Sequence, residues 1–102
     1  MTSKKKAAIS KLAIEGELTI YTAAALKEKI GALLNDRAAL EIDLSQVAEI
    51  DTAGLQLLLL ARRETVQREQ SIAFSNPSEA VLDCWRLCNL SDTFGVQPTA
   101  AQ

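Results

Sequence analysis

Histidine is missing from this 102-residue chain, and with it go the usual general base near neutral pH and the commonest zinc ligand. Any catalysis would have to rest on carboxylates or hydroxyls. Cysteine occurs twice, as Cys84 and Cys88. They stand four residues apart in a stretch of helical patterning, which holds their Cβ atoms farther apart than the roughly 3.5 to 4.5 Å a disulfide needs. Both read as reduced core residues of a cytosolic protein. Two prolines, four glycines and 4% aromatic residues exclude collagen-like and low-complexity structure. No run approaches the roughly 18 apolar residues of a membrane-spanning helix. Lys4 to Lys6 lead into an alternating segment and not into the apolar stretch of a secretory leader. A cytoplasmic location without membrane insertion is expected.

Positive charge is also in short supply. Eleven basic residues face thirteen acidic ones, for a net charge of −2. Lys4, Lys5 and Lys6 account for three of the eleven, so the rest of the chain carries eight basic residues against thirteen acidic ones, or −5. Nucleic acid is therefore excluded as a partner, because affinity for it comes mainly from clustered Lys and Arg neutralising phosphates. What is plentiful is apolar side chains, at 48% of residues. With this length, that share suits one globular domain with one core.

The pattern places that domain at residues 7–96, between a basic flexible tail at 1–6 and a small polar tail at 97–102. From Ala7 to Leu18 apolar and polar residues roughly alternate, with Gly16 as a break, so one or two short strands are expected. Leu26, Ile30, Leu33 and Leu34 share one stripe of a helix over 22–35. Leu40, Ile42 and Leu44 alternate with Glu41 and Asp43, giving a strand over 39–44 that ends in a polar loop. A leucine-rich helix follows over 54–70, then a strand over 71–74, then a helix over 78–88 capped by Ser78, and a weak last strand near 93–96. The order predicts an α/β fold: a mixed four- to five-stranded sheet with three main helices layered mostly on one face.

On a helical wheel Leu55, Leu58, Leu59, Arg62 and Val66 fall on one side of the second helix, with Leu57 and Leu60 opposite and Glu64 between them. That second apolar pair is covered by a neighbouring helix or binds a partner. At the helix entrance stands Asp51-Thr52-Ala53-Gly54-Leu55. Thr52 reads either as an N-cap or as an acceptor of phosphate, which would add about −1.5 to −2 charge beside helix N–H groups and next to Asp51. Gly54 admits a close approach by a partner or relieves a tight turn. Glu17, Asp43 and Asp51 could gather at the strand ends as a general acid–base set, but with no histidine, metal companions or glycine-rich loop this is the weaker reading. Trp85 reads as packing of the last helix on the sheet.

The run Asp43-Leu44-Ser45, then Asp51-Thr52-Ala53-Gly54-Leu55, together with Gly16-Glu17-Leu18, resembles the STAS family, the domain shared by anti-sigma factor antagonists and sulfate transporter tails. The resemblance covers roughly 7–96 and implies a STAS-like sheet and a non-catalytic protein-interaction module with no cofactor. It implies partner contacts at Glu17, Thr19, Asp51, Thr52, Ala53, Gly54, Leu57, Leu60 and Glu64, and makes Thr52 the candidate phosphoacceptor. Serine is commoner at that position, and many antagonists carry Asp where this chain has Thr19. The leading expectation is a partner-switching regulator, an anti-sigma factor antagonist-like monomer or weak dimer bound by an anti-sigma factor with serine-kinase activity. The alternative is the small STAS subunit that binds the ATPase of a phospholipid-transport ABC complex, whose members read D-T-[GA]-G-L at this turn. A chemotaxis or two-component accessory is a third branch.

Overall fold

The computed structural model describes residues 9–36 and 39–94. Strand β1 (Ile9–Leu18) leads through a short turn to α1 (Ala23–Asp36), then β2 (Ala39–Ile50), α2 (Thr52–Gln67), β3 (Ser71–Ser75) and α3 (Glu79–Leu87). Among the described residues the sheet has three strands in the order β1-β2-β3, all parallel. The expected α/β fold with three main helices is found, and the difference is in the sheet, which among the described residues has three parallel strands where a mixed sheet of four or five was expected. Each pair of neighbouring strands is joined through a helix, which returns the chain to the same end of the sheet. Of the weak last strand, Thr93 and Phe94 lie in a turn, and 95–96 fall outside the described residues, as do both proposed tails.

The first half of β2 shows why one face of the sheet is the core face. Leu40, Ile42 and Leu44 are buried while Glu41 and Asp43 keep partial exposure, the period-two signature of a half-buried strand. On the outer face Lys11 and Glu41 sit side by side in register and form an ion pair of 3.9 Å. The strand does not stop at Leu44. It continues through Ser45 and Gln46 because β2 fits twelve residues against ten of β1, with register shifts opposite Ala13/Glu15 and Gly16/Glu17. Such bulges reset the alternation, so the next buried residue after Leu44 is Val47, three positions on. The Asp43 carboxylate accepts the Ser45 N–H at 2.9 Å inside the first bulge, and Gly16, at φ +77°, supplies the left-handed conformation that β1 needs opposite the second.

Helix α2 packs against the sheet beside α1, which also lies on the sheet. Its buried residues are Gly54, Leu55, Leu57, Leu58, Ala61 and Thr65, so the stripe is rotated from the one expected: Val66 is 62% exposed and Arg62 is exposed, whereas Leu57 is 6% exposed. Leu57 meets the Ile30 and Leu34 side of α1, and that neighbouring helix covers it. Thr65, fully buried, donates its hydroxyl to the Arg62 carbonyl at 2.7 Å. Helix α3 begins where expected, the Ser78 hydroxyl accepting the Val81 N–H. It buries Val81 and Trp85. The Trp85 ring stacks on Phe94 with centroids 4.4 Å apart, and Phe74 meets both edge-on at 6.4 and 5.1 Å. Cys84 is half-buried, and burial pushes its thiol pKa up. Cys88 is exposed, so only one of the two cysteines has the core character expected of both.

Candidate functional site

The site is built where β1 and β2 end. The chain leaves β2 at Asp51, whose own N–H bonds back to the Leu18 carbonyl at 3.2 Å. The Asp51 side chain then makes two further bonds in different directions. One oxygen accepts the Gly54 N–H at 3.0 Å and caps α2; the other accepts the Ile20 N–H at 3.0 Å in the β1–α1 turn. Asp51 is therefore the N-cap, and Thr52, expected as a possible cap, is the first helical residue. The N–H groups of Gly54 and Ile20 hold the Asp51 carboxyl below the usual carboxylate range.

Gly54 completes the junction. A Cβ built there would stand 1.9 Å from the Leu18 carbonyl oxygen, so α2 can approach β1 only with glycine at this place. The close approach is internal to the chain and Gly54 is buried, which corrects the expectation that it admits a partner. Thr19, 7% exposed, is likewise an internal member of the turn. Its hydroxyl donates to the Glu17 carboxylate at 3.1 Å and accepts the Tyr21 N–H at 3.2 Å, while its own N–H goes to the Thr22 hydroxyl at 3.0 Å.

The expected contact residues divide into two groups. Glu17, Asp51 and Thr52 line a groove of about 740 Å³ whose far wall is α3. Thr52 is exposed, and its hydroxyl makes no hydrogen bond among the described residues. Ala53, Leu57 and Leu60 lie on the other side, along a cleft toward α1. There Leu60 and Glu64 are half-buried, and Glu64 pairs with Arg68 at 3.5 Å. Leu57 is core, correcting the reading of an accessible Leu57–Leu60 pair. Asp43 does not join Asp51 and Glu17: it lies eight residues upstream on β2, roughly 20 to 25 Å away at strand spacing. The three carboxylates thus form no acid–base set, and no group of three potential metal ligands occurs among the described residues.

Sequence reasoning passed over the α3 wall, which presents Ala80, Asp83, Cys84 and the 87% exposed Leu87 to the groove. Tyr21, 88% exposed, and Glu49 face it from the turn and from β2. The signal was present: Leu87 lies about 200° from Trp85 on a helical wheel, opposite the residue most plainly buried.

A family model described as "Mlab, STAS domain" matches residues 1–97. The chain is similar to the "Anti-sigma-B factor antagonist" of Bacillus subtilis, 28% identical over 83 residues that cover 81% of this chain and 76% of that protein. Among solved structures it resembles an anti-sigma factor antagonist from Mycobacterium paratuberculosis, with TM-score 0.74, 28% identity, and coverage of 93% of this chain and 81% of the other. A Thermotoga maritima protein shares the fold at TM-score 0.78 and 23% identity, covering 86% of this chain and 77% of that one. With the Asp-Thr-Ala-Gly turn clamped to the end of β1 and a family match spanning the described fold, the chain belongs to the STAS domain family.

Proposed function

We propose that this protein is a non-catalytic, cytoplasmic partner-switching regulator of the anti-sigma factor antagonist kind, a monomer or weak dimer that presents the Thr52 surface to a protein partner. The observation that carries the reading is the division of labour at the α2 entrance. Asp51 supplies the cap, which leaves the exposed Thr52 hydroxyl without a structural task. The antagonist relatives in Bacillus subtilis and Mycobacterium paratuberculosis support the class of partner. Membrane insertion forms no part of the reading, and no described helix is long and apolar enough to cross a membrane.

Phosphate on Thr52 would act through Asp51. It would bring about −1.5 to −2 charge next to that carboxylate and compete with it for the N–H groups at the α2 N-terminus. Losing the Asp51 bonds to Gly54 and Ile20 frees the β1–α1 turn from α2, so the surface offered to a partner changes shape as well as charge. The test is to incubate the protein with a purified anti-sigma factor kinase from the same organism and ATP, follow Thr52 by mass spectrometry, and follow the complex by size-exclusion chromatography. The expected result is a complex that forms with the unmodified protein, dissociates as Thr52 gains phosphate, and is weakened at least tenfold by Thr52→Glu. A stable complex indifferent to Thr52→Glu would overturn the switch.

A second reading is favoured by Thr19. Where many antagonists carry a carboxylate, this chain has a buried hydroxyl engaged inside its own turn, and its Asp-Thr-Ala-Gly-Leu run resembles that of the small subunits that bind the ATPase of phospholipid-transport ABC complexes. Co-purification with such an ATPase in place of a kinase would select it.

A further inference from the structure

The groove beside Thr52 has a composition that points to what fills it. Its floor and walls include exposed or partly exposed apolar side chains, Leu87, Tyr21, Ala48 and Ala80. Its charged lining residues are Glu17, Glu49, Asp51 and Asp83, and no lysine or arginine lines it. Asp51 is engaged in its cap and Asp83 pairs with Arg86 along α3, but Glu17 and Glu49 enter no ion pair among the described residues. The opposite cleft along α1 differs: Lys27 and Arg68 stand at its rim with Glu64.

The backbone beside the groove is also open. β3 pairs with β2 only from Ala39 to Asp43, and the Leu44 carbonyl accepts the Ser78 N–H at 3.2 Å, so from Ser45 to Ile50 the strand has a backbone neighbour on the β1 side alone among the described residues. Ser45, Gln46, Ala48 and Glu49 along that stretch are exposed. A free strand edge offers main-chain N–H and C=O groups to an incoming peptide, and flanking side-chain contacts select among peptides.

We propose that this groove receives a segment of the protein partner in extended conformation, with aliphatic side chains alternating with lysine or arginine. The aliphatic side chains lie against Leu87 and Ala80, and the basic ones face Glu49, Glu17 and Asp83. Charge complementarity of this kind acts chiefly on the rate of encounter and on the choice of partner, and salt weakens it. The assignment rests on the regulator reading for the existence of a partner, not for the chemistry of the groove.

The probe is an end-capped eight-residue peptide of alternating valine and lysine, with a valine–glutamate peptide as its counterpart. Both are titrated into the ¹⁵N-labelled full chain. The expected result is amide shifts at Glu49, Thr52 and Leu87 with the lysine peptide and none with the glutamate peptide. Binding falls at least tenfold in Glu49→Lys/Asp83→Lys and several-fold in Leu87→Ser, while Glu15→Lys/Glu28→Lys, equal in charge change but away from α3, binds as the parent does. All of these positions are exposed, and a dispersed spectrum checks that each variant is folded. Shifts confined to the α1 cleft, or equal losses in the two double variants, overturn the assignment. If a purified partner binds the parent and Glu49→Lys/Asp83→Lys alike, the groove assignment fails and the regulator reading stands. If no partner binds while the lysine peptide maps to the groove, the regulator reading fails and with it the partner as occupant, while the groove's chemistry as a site for a basic extended peptide stands.

Discussion

At the scale of single residues, Asp51, Thr52 and Gly54 are neighbours with three separable roles, and substitution distinguishes them. Replacing Thr52 with Ala removes an exposed hydroxyl that caps nothing, so stability should stay within about 0.5 kcal/mol of the parent in urea melts. Asp51→Asn keeps an acceptor but loses the charge. The folded carboxyl has a lowered pKa, so its contribution is fully present above the unfolded value near 3.9 and disappears as pH falls through the folded one. The variant's urea midpoint should therefore lie below the parent's at pH 7, and the gap should close as pH falls through the lowered folded pKa. A gap that persists at low pH would mean the two hydrogen bonds do not depend on ionisation. Gly54→Ala drives a methyl group into the Leu18 carbonyl, backbone that cannot swing aside. It should cost about 3 kcal/mol or more, at the upper end of overpacking effects, or lever α2 away from β1, which amide shifts at Ile20 would reveal.

At the scale of elements, α2 packs against both the sheet and α1, and its leucines report which side each faces. Leu57→Asp places a carboxylate among Ile30 and Leu34 and should cost at least 3 kcal/mol, whereas Leu60→Asp, half-buried at the rim, should cost about 1 kcal/mol. Thermal melts of the two single variants check this, and equal losses would place Leu60 in the core as well. Most elements were legible. Leu26, Ile30, Leu33 and Leu34 marked α1, Ser78 marked the start of α3, and Leu40, Ile42 and Leu44 marked the first half of β2. The second half of β2 was not legible, because two bulges shift its alternation and Ser45-Gln46 imitates a loop. The α2 stripe was misread because a helix packed against both a sheet and another helix buries a wider arc than one stripe, and single-helix periodicity does not say where the second neighbour lies. Thr52 outcompeted Asp51 as the expected cap for a similar reason: both residue types cap well, and only the long-range bond to Ile20 shows which of them turns inward.

At the scale of the whole molecule, three helices cover one face of a small parallel sheet, and the proposed working surface lies at the end where β1 and β2 stop. The Thr52 end of that surface could be found in the sequence because one short motif carries it. The α3 wall could not, since Leu87 and Asp83 reach the groove only after β3 has ended and the chain has folded back across β2. The same packing has an optical consequence. Trp85 is the sole tryptophan and is fully buried between phenylalanines. An indole in such dry surroundings should emit well to the blue of tryptophan in water and shift red only when the core opens. Native emission already at the wavelength of the free amino acid would show that water reaches the ring. Because Trp85 faces inward from the helix whose outer side carries Leu87, a ligand settling outside should scarcely change the colour of that emission. The chain thus carries a built-in lamp that reads unfolding while staying nearly blind to docking, and one fluorimeter trace can tell a variant that has lost its partner from one that has lost its fold.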